Sequence, residues 1–262
     1  MLDPNPETLR NWVEEPGGGS SPGGWQDFEV VSRETPHGGA RLTVPAQVGY
    51  PYRLWLLVTY ALTEQGLTIS VEATNTGPDP APFGASIHPY LSAGAGVVDG
   101  WVLELPAASV LTVTADRLVL VDLRPVAELD RFDFRRPRTI ADTFVDQAFT
   151  DLSAGPDGRV TARLTGAEGS GVAITWGQEC RWVQVHTADH PDSRLNRLGS
   201  AVEPMTCPPD AQLGPSPDHP ADRRLHDRGV ADHRFLAEIW GRTQKWPVGM
   251  PGEPAIRTCA AV

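Results

Sequence analysis

The chain has 262 residues and a formal net charge of −11 at pH 7, with 40% hydrophobic and 21% charged residues. These proportions are ordinary for a soluble globular protein, and a chain of this length can form one β-sandwich domain. The excess of acidic residues argues against binding to a nucleic-acid backbone, which needs Lys and Arg concentrated on one face. It is compatible with a neutral small-molecule ligand but does not indicate one.

The features that bear on cellular location are few. The three cysteines, Cys180, Cys207 and Cys259, show no C-x-x-C spacing, so neither a zinc site nor a disulfide framework is predicted. Unpaired cysteines fit a reducing compartment. No apolar run approaches the roughly 20 residues that span a bilayer, and residues 1–11 lack the basic and apolar regions of a signal peptide. A cytoplasmic protein without a membrane partner is therefore expected.

The middle of the chain predicts strands. Residues 67–75 alternate between apolar and polar side chains, which is the period of a half-buried strand. Residues 52–63 are rich in β-formers, and Glu64-Gln65-Gly66 predicts a hairpin connection between the two segments. Further strands are predicted at 28–32, 41–44, 102–105, 109–114, 117–121, 160–164, 172–176 and 182–187. Many short strands joined by Gly- and Pro-rich turns indicate an all-β sandwich or barrel.

The pattern changes beyond residue 212. Residues 213–262 show no strand periodicity, and an apolar cluster at 235–240 is compatible with one or two turns of helix. The other end is also unusual, because residues 17–24 read GGGSSPGG. Both ends therefore differ in composition from the predicted β-rich middle.

Three segments present residues suited to acid–base chemistry. In residues 75–90, a loop places His88 immediately before Pro89, which restricts its backbone to extended geometry. In residues 202–209, Glu203 precedes Pro204 and is predicted to lie in a Pro-constrained turn. In residues 145–149, Asp146 is embedded in an apolar segment. Taken singly, each has an ordinary interpretation: a structural histidine, a solvated glutamate and an aspartate that caps a turn.

Taken together, the segments resemble the aldose 1-epimerases. FGASIHPY is similar to the family's loop that ends in His-Pro-Tyr, and WVQVHT followed by AVEPMTCPPDA is similar to a second family segment. VDQAFTDL, WQDFEVV and VGYPYRL match further strands, so the resemblance covers residues 25–211. It implies a galactose mutarotase-like fold, which is a large antiparallel β-sandwich, and the exchange of sugar anomers as the reaction.

The resemblance also implies roles for individual residues. Glu203 would be the base at the C1 hydroxyl of an aldohexose, and His88 the acid at the ring oxygen. Asp146 would accept hydrogen bonds from sugar hydroxyls, and Gln184 would lie near the pocket. The family needs no metal or organic cofactor, so the expected partner is a small-molecule sugar alone.

The two ends depart from the family pattern. The family has an Arg and a second His upstream of the position of Trp25, and neither is found here; His37-Gly38-Gly39 is interpreted as a hairpin turn instead. Codons permitted by residues 213–236, read one base out of phase, spell a strand–turn–strand pattern like the family's ending, followed by a stop. The chain is therefore predicted to comprise an irregular, out-of-frame segment at 1–24, the sandwich at 25–212 and a frameshifted tail at 213–262.

This division predicts a sandwich that lacks its final strands, low stability, and weak or lost activity. Two alternatives to the epimerase stay open, namely an inactive sugar-binding relative and a hexose-6-phosphate 1-epimerase. Specificity is expected to lie in the loops at 92–100 and 188–200, where Arg194 and Arg197 are interpreted as solvated arginines rather than as ligands of a substrate anion.

Overall fold

The computed structural model describes residues 29–32, 37–44, 51–114, 120–209 and 232–242, which are mainly strands and their connecting loops. The strands are β1 (Glu29–Ser32), β2 (His37–Val44), β3 (Leu54–Thr63), β4 (Gly66–Asn75), β5 (Tyr90–Leu91), β6 (Val102–Glu104), β7 (Ala107–Val113), β8 (Leu120–Pro125), β9 (Arg138–Thr139), β10 (Asp146–Leu152), β11 (Val160–Thr165), β12 (Gly171–Trp176), β13 (Trp182–His186), β14 (Ser200–Met205) and β15 (Asp232–Arg242). Three short 3-10 turns occupy Val98–Gly100, Val126–Glu128 and Asp130–Phe132.

The strands form two antiparallel sheets. The larger sheet has nine strands in the order β1-β2-β3-β4-β15-β12-β11-β6-β9, and the smaller has six in the order β5-β14-β13-β10-β7-β8. Alternate side chains of both sheets meet in one buried cluster, with Val58 and Ile69 from the larger sheet and Val110, Phe149 and Val183 from the smaller. The predicted antiparallel β-sandwich is thus confirmed.

The predicted hairpin connects β3 and β4. The two strands pair along their whole length, from Leu54 opposite Asn75 to Thr63 opposite Gly66. Gly66 has a φ of +137°, and a Cβ atom there would lie 2.2 Å from the carbonyl oxygen of Ile239. Glycine is needed at this position because it tolerates both the positive φ and the close approach of β15.

The prediction for the tail is wrong at 232–242. This segment is neither irregular nor helical but forms β15, which pairs with β4 on one side and with β12 on the other. Phe235 and Ala237 are buried in the sandwich core, whereas Arg234 and Trp240 are exposed. Apolar and polar residues alternate over only a few positions of this segment, which is too short a pattern to predict a strand. The segment forms a strand because it pairs with a neighbouring strand on each side. The sheet edge that was expected at this point is therefore not exposed.

The interpretation of His37-Gly38-Gly39 as a turn is also wrong. All three residues belong to β2 and pair with residues 59–61 of β3. Gly39 also pairs with Ser32 of β1, at a shift in register. Neighbouring strands on both sides thus hold glycines that have little strand preference of their own.

Candidate active site

The loop that carries His88 is attached to β14. The backbone N–H of Ala85 donates to the Thr206 hydroxyl at 2.8 Å, and the N–H of Thr206 donates to the Ala85 carbonyl at 3.0 Å. Further along, the N–H of Val202 donates to the carbonyl of Pro89 at 3.3 Å. These bonds hold the loop along the strand that bears Glu203, so the two motifs singled out in the sequence form one structural unit.

Gly84 allows this close approach. A Cβ atom at position 84 would lie 2.3 Å from the Sγ atom of Cys207. Cys207 is two residues beyond the end of β14, and its thiol packs against the loop backbone where a larger residue than glycine would not fit. The glycine of FGASIHPY and the cysteine of AVEPMTC are therefore matched to each other.

Glu203 lies within a strand, and the prediction of a Pro-constrained turn is wrong. It is opposite Gln184 of β13, and the next residue, Pro204, is opposite Val183. The carbonyl of Pro204 accepts a hydrogen bond from the Ser86 hydroxyl, on the side away from β13. Because the N and C=O of a strand residue point to the same side, the missing N–H of Pro204 also faces away from β13. The proline is tolerated for this reason.

His88 and Glu203 form a close pair. The Nε2 atom of His88 lies 3.0 Å from Oε1 of Glu203, with 25% of the histidine side chain exposed and 10% of the glutamate side chain. Burial, with a smaller contribution from the negative charge of Asp146, raises the pKa of Glu203 to about 8. The carboxyl group therefore keeps a proton at pH values where an ordinary glutamate has lost it. The His88 ring also stacks on Tyr90, with ring centroids 5.1 Å apart.

The remaining predicted residues lie beside this pair. Asp146 begins β10 and is opposite His186 of β13. The side-chain N–H₂ of Gln184 donates to Oδ1 of Asp146 at 2.7 Å. The Nδ1 atom of His186 is 3.7 Å from the same oxygen. The structure thus brings His88, Asp146, Gln184 and Glu203 together on three adjacent strands and one loop.

His186 is a site residue that the sequence analysis missed. It lies two positions after Gln184 on β13, so both side chains point to the same face of the sheet. This face is opposite to the one that packs in the sandwich core, to which Val183 and Val185 belong. The period of two within WVQVHT was the signal that could have identified it.

An apolar patch continues the same face of the smaller sheet. Leu111, Ala148 and Met205 form a cluster separate from the main core, with Trp182 packed against it. Met205 follows Glu203 by two residues and is opposite Trp182, which precedes Gln184 by two. Polar groups and apolar surface are therefore adjacent, as a sugar ring with hydroxyls and C–H faces requires.

Arg197 is not a solvated loop arginine. Only 6% of its side chain is exposed, and it pairs with Asp99 and Asp189 and donates to the carbonyl of Ala141 at 2.6 Å. Its interactions join the two loops in which specificity was predicted. Arg194 is solvated as expected, with 86% of its side chain exposed.

No set of three or more His, Cys, Asp or Glu side chains within the described ranges is arranged to hold a metal ion. Among the same residues, no helix is long and apolar enough to cross a membrane. The segments at 1–24, 213–231 and 243–262, which belong to the predicted out-of-frame ends, lie outside the described residues.

Comparisons with known proteins agree with the fold and the motifs. A relative, the uncharacterized protein YihR of Escherichia coli (strain K12), is 30% identical over 219 residues, which is 83% of this chain and 66% of the relative, slightly under two thirds of its length. A galactose mutarotase-like protein from Clostridium acetobutylicum is similar in structure, with a TM-score of 0.65 and 10% identity over 83% of this chain and 67% of that one.

Two further structures share the fold. The GalM/aldose epimerase homologue from C. elegans has a TM-score of 0.62 and 17% identity, over 83% of this chain and 68% of its own. The galactose 1-epimerase from Lactobacillus acidophilus has a TM-score of 0.59 and 18% identity, over 82% and 66%. The family model for aldose 1-epimerase matches residues 17–220. The chain belongs to the aldose 1-epimerase family.

Proposed function

We propose that this protein interconverts the α and β anomers of an aldohexose, with Glu203 as the base at the C1 hydroxyl and His88 as the acid at the ring oxygen. The observation that supports this most is the 3.0 Å contact between His88 and Glu203 in a largely buried position. Two titratable groups within hydrogen-bond distance, of which one has a raised pKa, are typical of an acid–base site.

The reaction needs two proton transfers at neighbouring oxygens. The proton of the C1 hydroxyl is removed while the ring oxygen receives one, so the C1–O5 bond breaks and an open-chain aldehyde forms. Rotation about C1–C2 and the reverse transfers close the ring as the other anomer. Both oxygens are bonded to C1, so a base and an acid that lie close together can reach them from one position of the sugar.

The pair suits this exchange because one proton can move between its members by way of the substrate. When Glu203 takes the hydroxyl proton, His88 gives one to the ring oxygen, and closure reverses the roles. Each such group typically contributes about 10²–10⁴-fold to the rate. A pKa of about 8 makes Glu203 a stronger base than an ordinary carboxylate, and therefore better matched to a weakly acidic hydroxyl.

Other groups on the same face support a neutral sugar as the substrate. Asp146 and Gln184 offer acceptors to hydroxyl groups, and Trp182 belongs to the adjacent apolar patch. A phosphorylated hexose is less well suited, because its phosphate would approach two carboxyl groups, Asp146 and Glu203. The buried Arg197 could not compensate, since its guanidinium is already engaged by Asp99 and Asp189.

Reduced activity is part of the proposal. Residues 17–24 read GGGSSPGG and do not contain the second His of the family, and one orienting group fewer would lower the rate of a reaction that depends on positioning. An inactive sugar-binding protein is the alternative. We also retain a cytoplasmic location as a proposal from the cysteine content.

Polarimetry on freshly dissolved α-glucose, α-galactose and α-glucose-6-phosphate tests the function. The proposal expects the full-length protein to accelerate the approach to equilibrium rotation for a neutral hexose more than for the phosphate ester. A protein that binds hexose in calorimetry without accelerating the change in rotation would be the inactive relative. A preference for the phosphate ester would contradict the proposed substrate class.

A further inference from the structure

Two buried polar atoms of the site have no hydrogen-bond partner within the described part of the chain. They are Nδ1 of His186 and Oε1 of Gln184. Buried side-chain polar atoms are nearly always hydrogen-bonded in folded proteins, and unpaired ones concentrate where a ligand binds. These two atoms belong to residues 184 and 186 of one strand, on the face that carries Glu203.

The neighbouring carboxylate does not satisfy His186. Nδ1 of His186 is 3.7 Å from Oδ1 of Asp146, which is beyond hydrogen-bond distance. That oxygen instead accepts the 2.7 Å hydrogen bond from Gln184. Because the side-chain N–H₂ of Gln184 donates to Asp146, the orientation of the amide is fixed, and Oε1 of Gln184 is available as an acceptor. The site thus combines an imidazole nitrogen, a fixed amide oxygen and a carboxylate.

We propose that His186 is a substrate-binding residue that, with Gln184 and Asp146, binds neighbouring ring hydroxyls of the hexose away from the reacting C1. This inference rests on the proposed function. A hydroxyl group has one proton to donate and can also accept, so a hydroxyl that donates to Oε1 of Gln184 can accept from a protonated Nδ1 of His186. In the other tautomer of the imidazole, Nδ1 can accept the proton of a neighbouring hydroxyl. His186 therefore determines which hexoses bind productively rather than taking part in proton transfer.

The register of the strands supports separate roles for Glu203 in proton transfer and His186 in binding hydroxyls. Gln184 is directly opposite Glu203, whereas His186 is opposite Ala201, one diagonal step from Glu203. Diagonal neighbours on adjacent strands are about 7–8 Å apart, so His186 and Glu203 are close enough for one pyranose ring to contact both. His186 is also opposite Asp146 on its other side, so the hydroxyl-binding groups lie together.

The variant His186→Phe keeps an aromatic ring and removes both nitrogens. In anomer exchange measured over a range of hexose concentrations, we expect KM to rise about tenfold, the loss of one hydrogen bond, while kcat stays within threefold. The pH dependence of kcat should be unchanged. Gln65→Phe is the control, because Gln65 is exposed in the connection between β3 and β4 of the larger sheet, and it should leave KM unchanged. A fall in kcat at unchanged KM would overturn the proposal.

A series of glucose analogues, each lacking one hydroxyl, identifies the contact. For one analogue the KM of the wild-type protein should already be raised, and His186→Phe should raise it no further. If His186→Phe raises KM by the same factor for every analogue, the residue does not contact a hydroxyl and the proposal is wrong.

Calorimetric titration with glucose separates this inference from the proposed function. If the wild-type protein binds glucose but does not accelerate anomer exchange, the proposed function fails. The inference then stands only if His186→Phe weakens glucose binding about tenfold while Gln65→Phe does not. A protein that binds no hexose overturns both.

Discussion

His88 Nε2 and Glu203 Oε1 are 3.0 Å apart, although one residue lies on a loop and the other within a strand. The loop residues 85–89 bond to residues 202–206, so the backbone segments that carry the two side chains are joined to each other. If the pair transfers protons as proposed, this connection sets its geometry before substrate binds.

The rate of anomer exchange should first rise with pH and then fall. Glu203 acts as a base only after it loses its proton, and its pKa is raised to about 8. We expect kcat/KM to increase by up to about tenfold per pH unit on the acid side, and to decrease at pH values where His88 no longer carries the proton that it donates to the ring oxygen. A profile measured by polarimetry, corrected for the buffer-catalysed rate, checks this. A plateau that already extends from pH 5 to pH 7 would mean that Glu203 is ionised there or is not the base.

The contribution of Glu203 to stability should decrease as the pH rises. The ordinary pKa of Glu203 is 4.5, and folding raises it to about 8, so folding takes up a proton between these values. The contribution of Glu203 is fully present below pH 4.5 and is lost as the pH rises through 8. Thermal melts of wild type and Glu203→Gln at pH 5 and pH 8.5 should show a gain for the variant that is larger at pH 8.5. An equal difference at both pH values would contradict the raised pKa.

Arg197 should stabilise the fold without contacting the sugar. Its guanidinium is buried against Asp99, Asp189 and the carbonyl of Ala141. Breaking a fully buried pair costs about 3–5 kcal/mol, and we expect about 2–3 kcal/mol for Arg197→Ala because both aspartates are partly exposed. Unfolding in urea measures this change in the free energy of unfolding. Arg194→Ala is the control, with a change within about 0.5 kcal/mol. Equal effects of the two substitutions would rule out the structural role.

Gly84 and Cys207 should show coupled effects. In Gly84→Ala the new methyl group would lie 2.3 Å from the Cys207 Sγ atom, so we expect a loss of about 1–3 kcal/mol and reduced activity as the His88 loop shifts. Adding Cys207→Ala removes the sulfur atom and should restore part of the lost stability and part of the lost activity. A double variant that is less stable than Gly84→Ala alone would show that the contact does not limit residue 84.

Much of the fold could be predicted from the sequence. Residues 67–75 alternate cleanly, and they form one of the longest strands, β4. The strand at Asp146–Leu152 is absent from the predicted strands, because residues 147–150 are buried on both faces and include the polar Gln147 and Thr150, so its sequence does not alternate. A proline is rare inside a strand, so the sequence places Glu203 and Pro204 in a turn. In the structure β5 pairs with β14 only at Ser200 and Ala201, so Pro204 does not need an N–H on that side.

The arrangement of the candidate site is harder to predict, because strands that are distant in sequence bring its residues together. His88, Asp146 and Glu203 stand out in their sequence segments, and the family resemblance links them. The period of two in WVQVHT puts His186 on the face of Gln184, but only the strand register shows that this face also carries Asp146. The error at 232–242 has the same origin. A short alternating segment forms a strand when neighbouring strands can pair with it, and here these are β4 and β12. The sequence of the segment alone does not identify these neighbours.

The most direct test of the acid–base pair is magnetisation transfer between the anomeric protons of α- and β-glucose at equilibrium, measured for four proteins. These are wild type, Glu203→Gln, His88→Ala and the double variant, each verified as folded by circular dichroism. We expect wild type to accelerate exchange and either single variant to lose about 10²-fold or more. The double variant should lose little beyond that, because the two residues act as a unit. Exchange by Glu203→Gln at the wild-type rate would contradict the account.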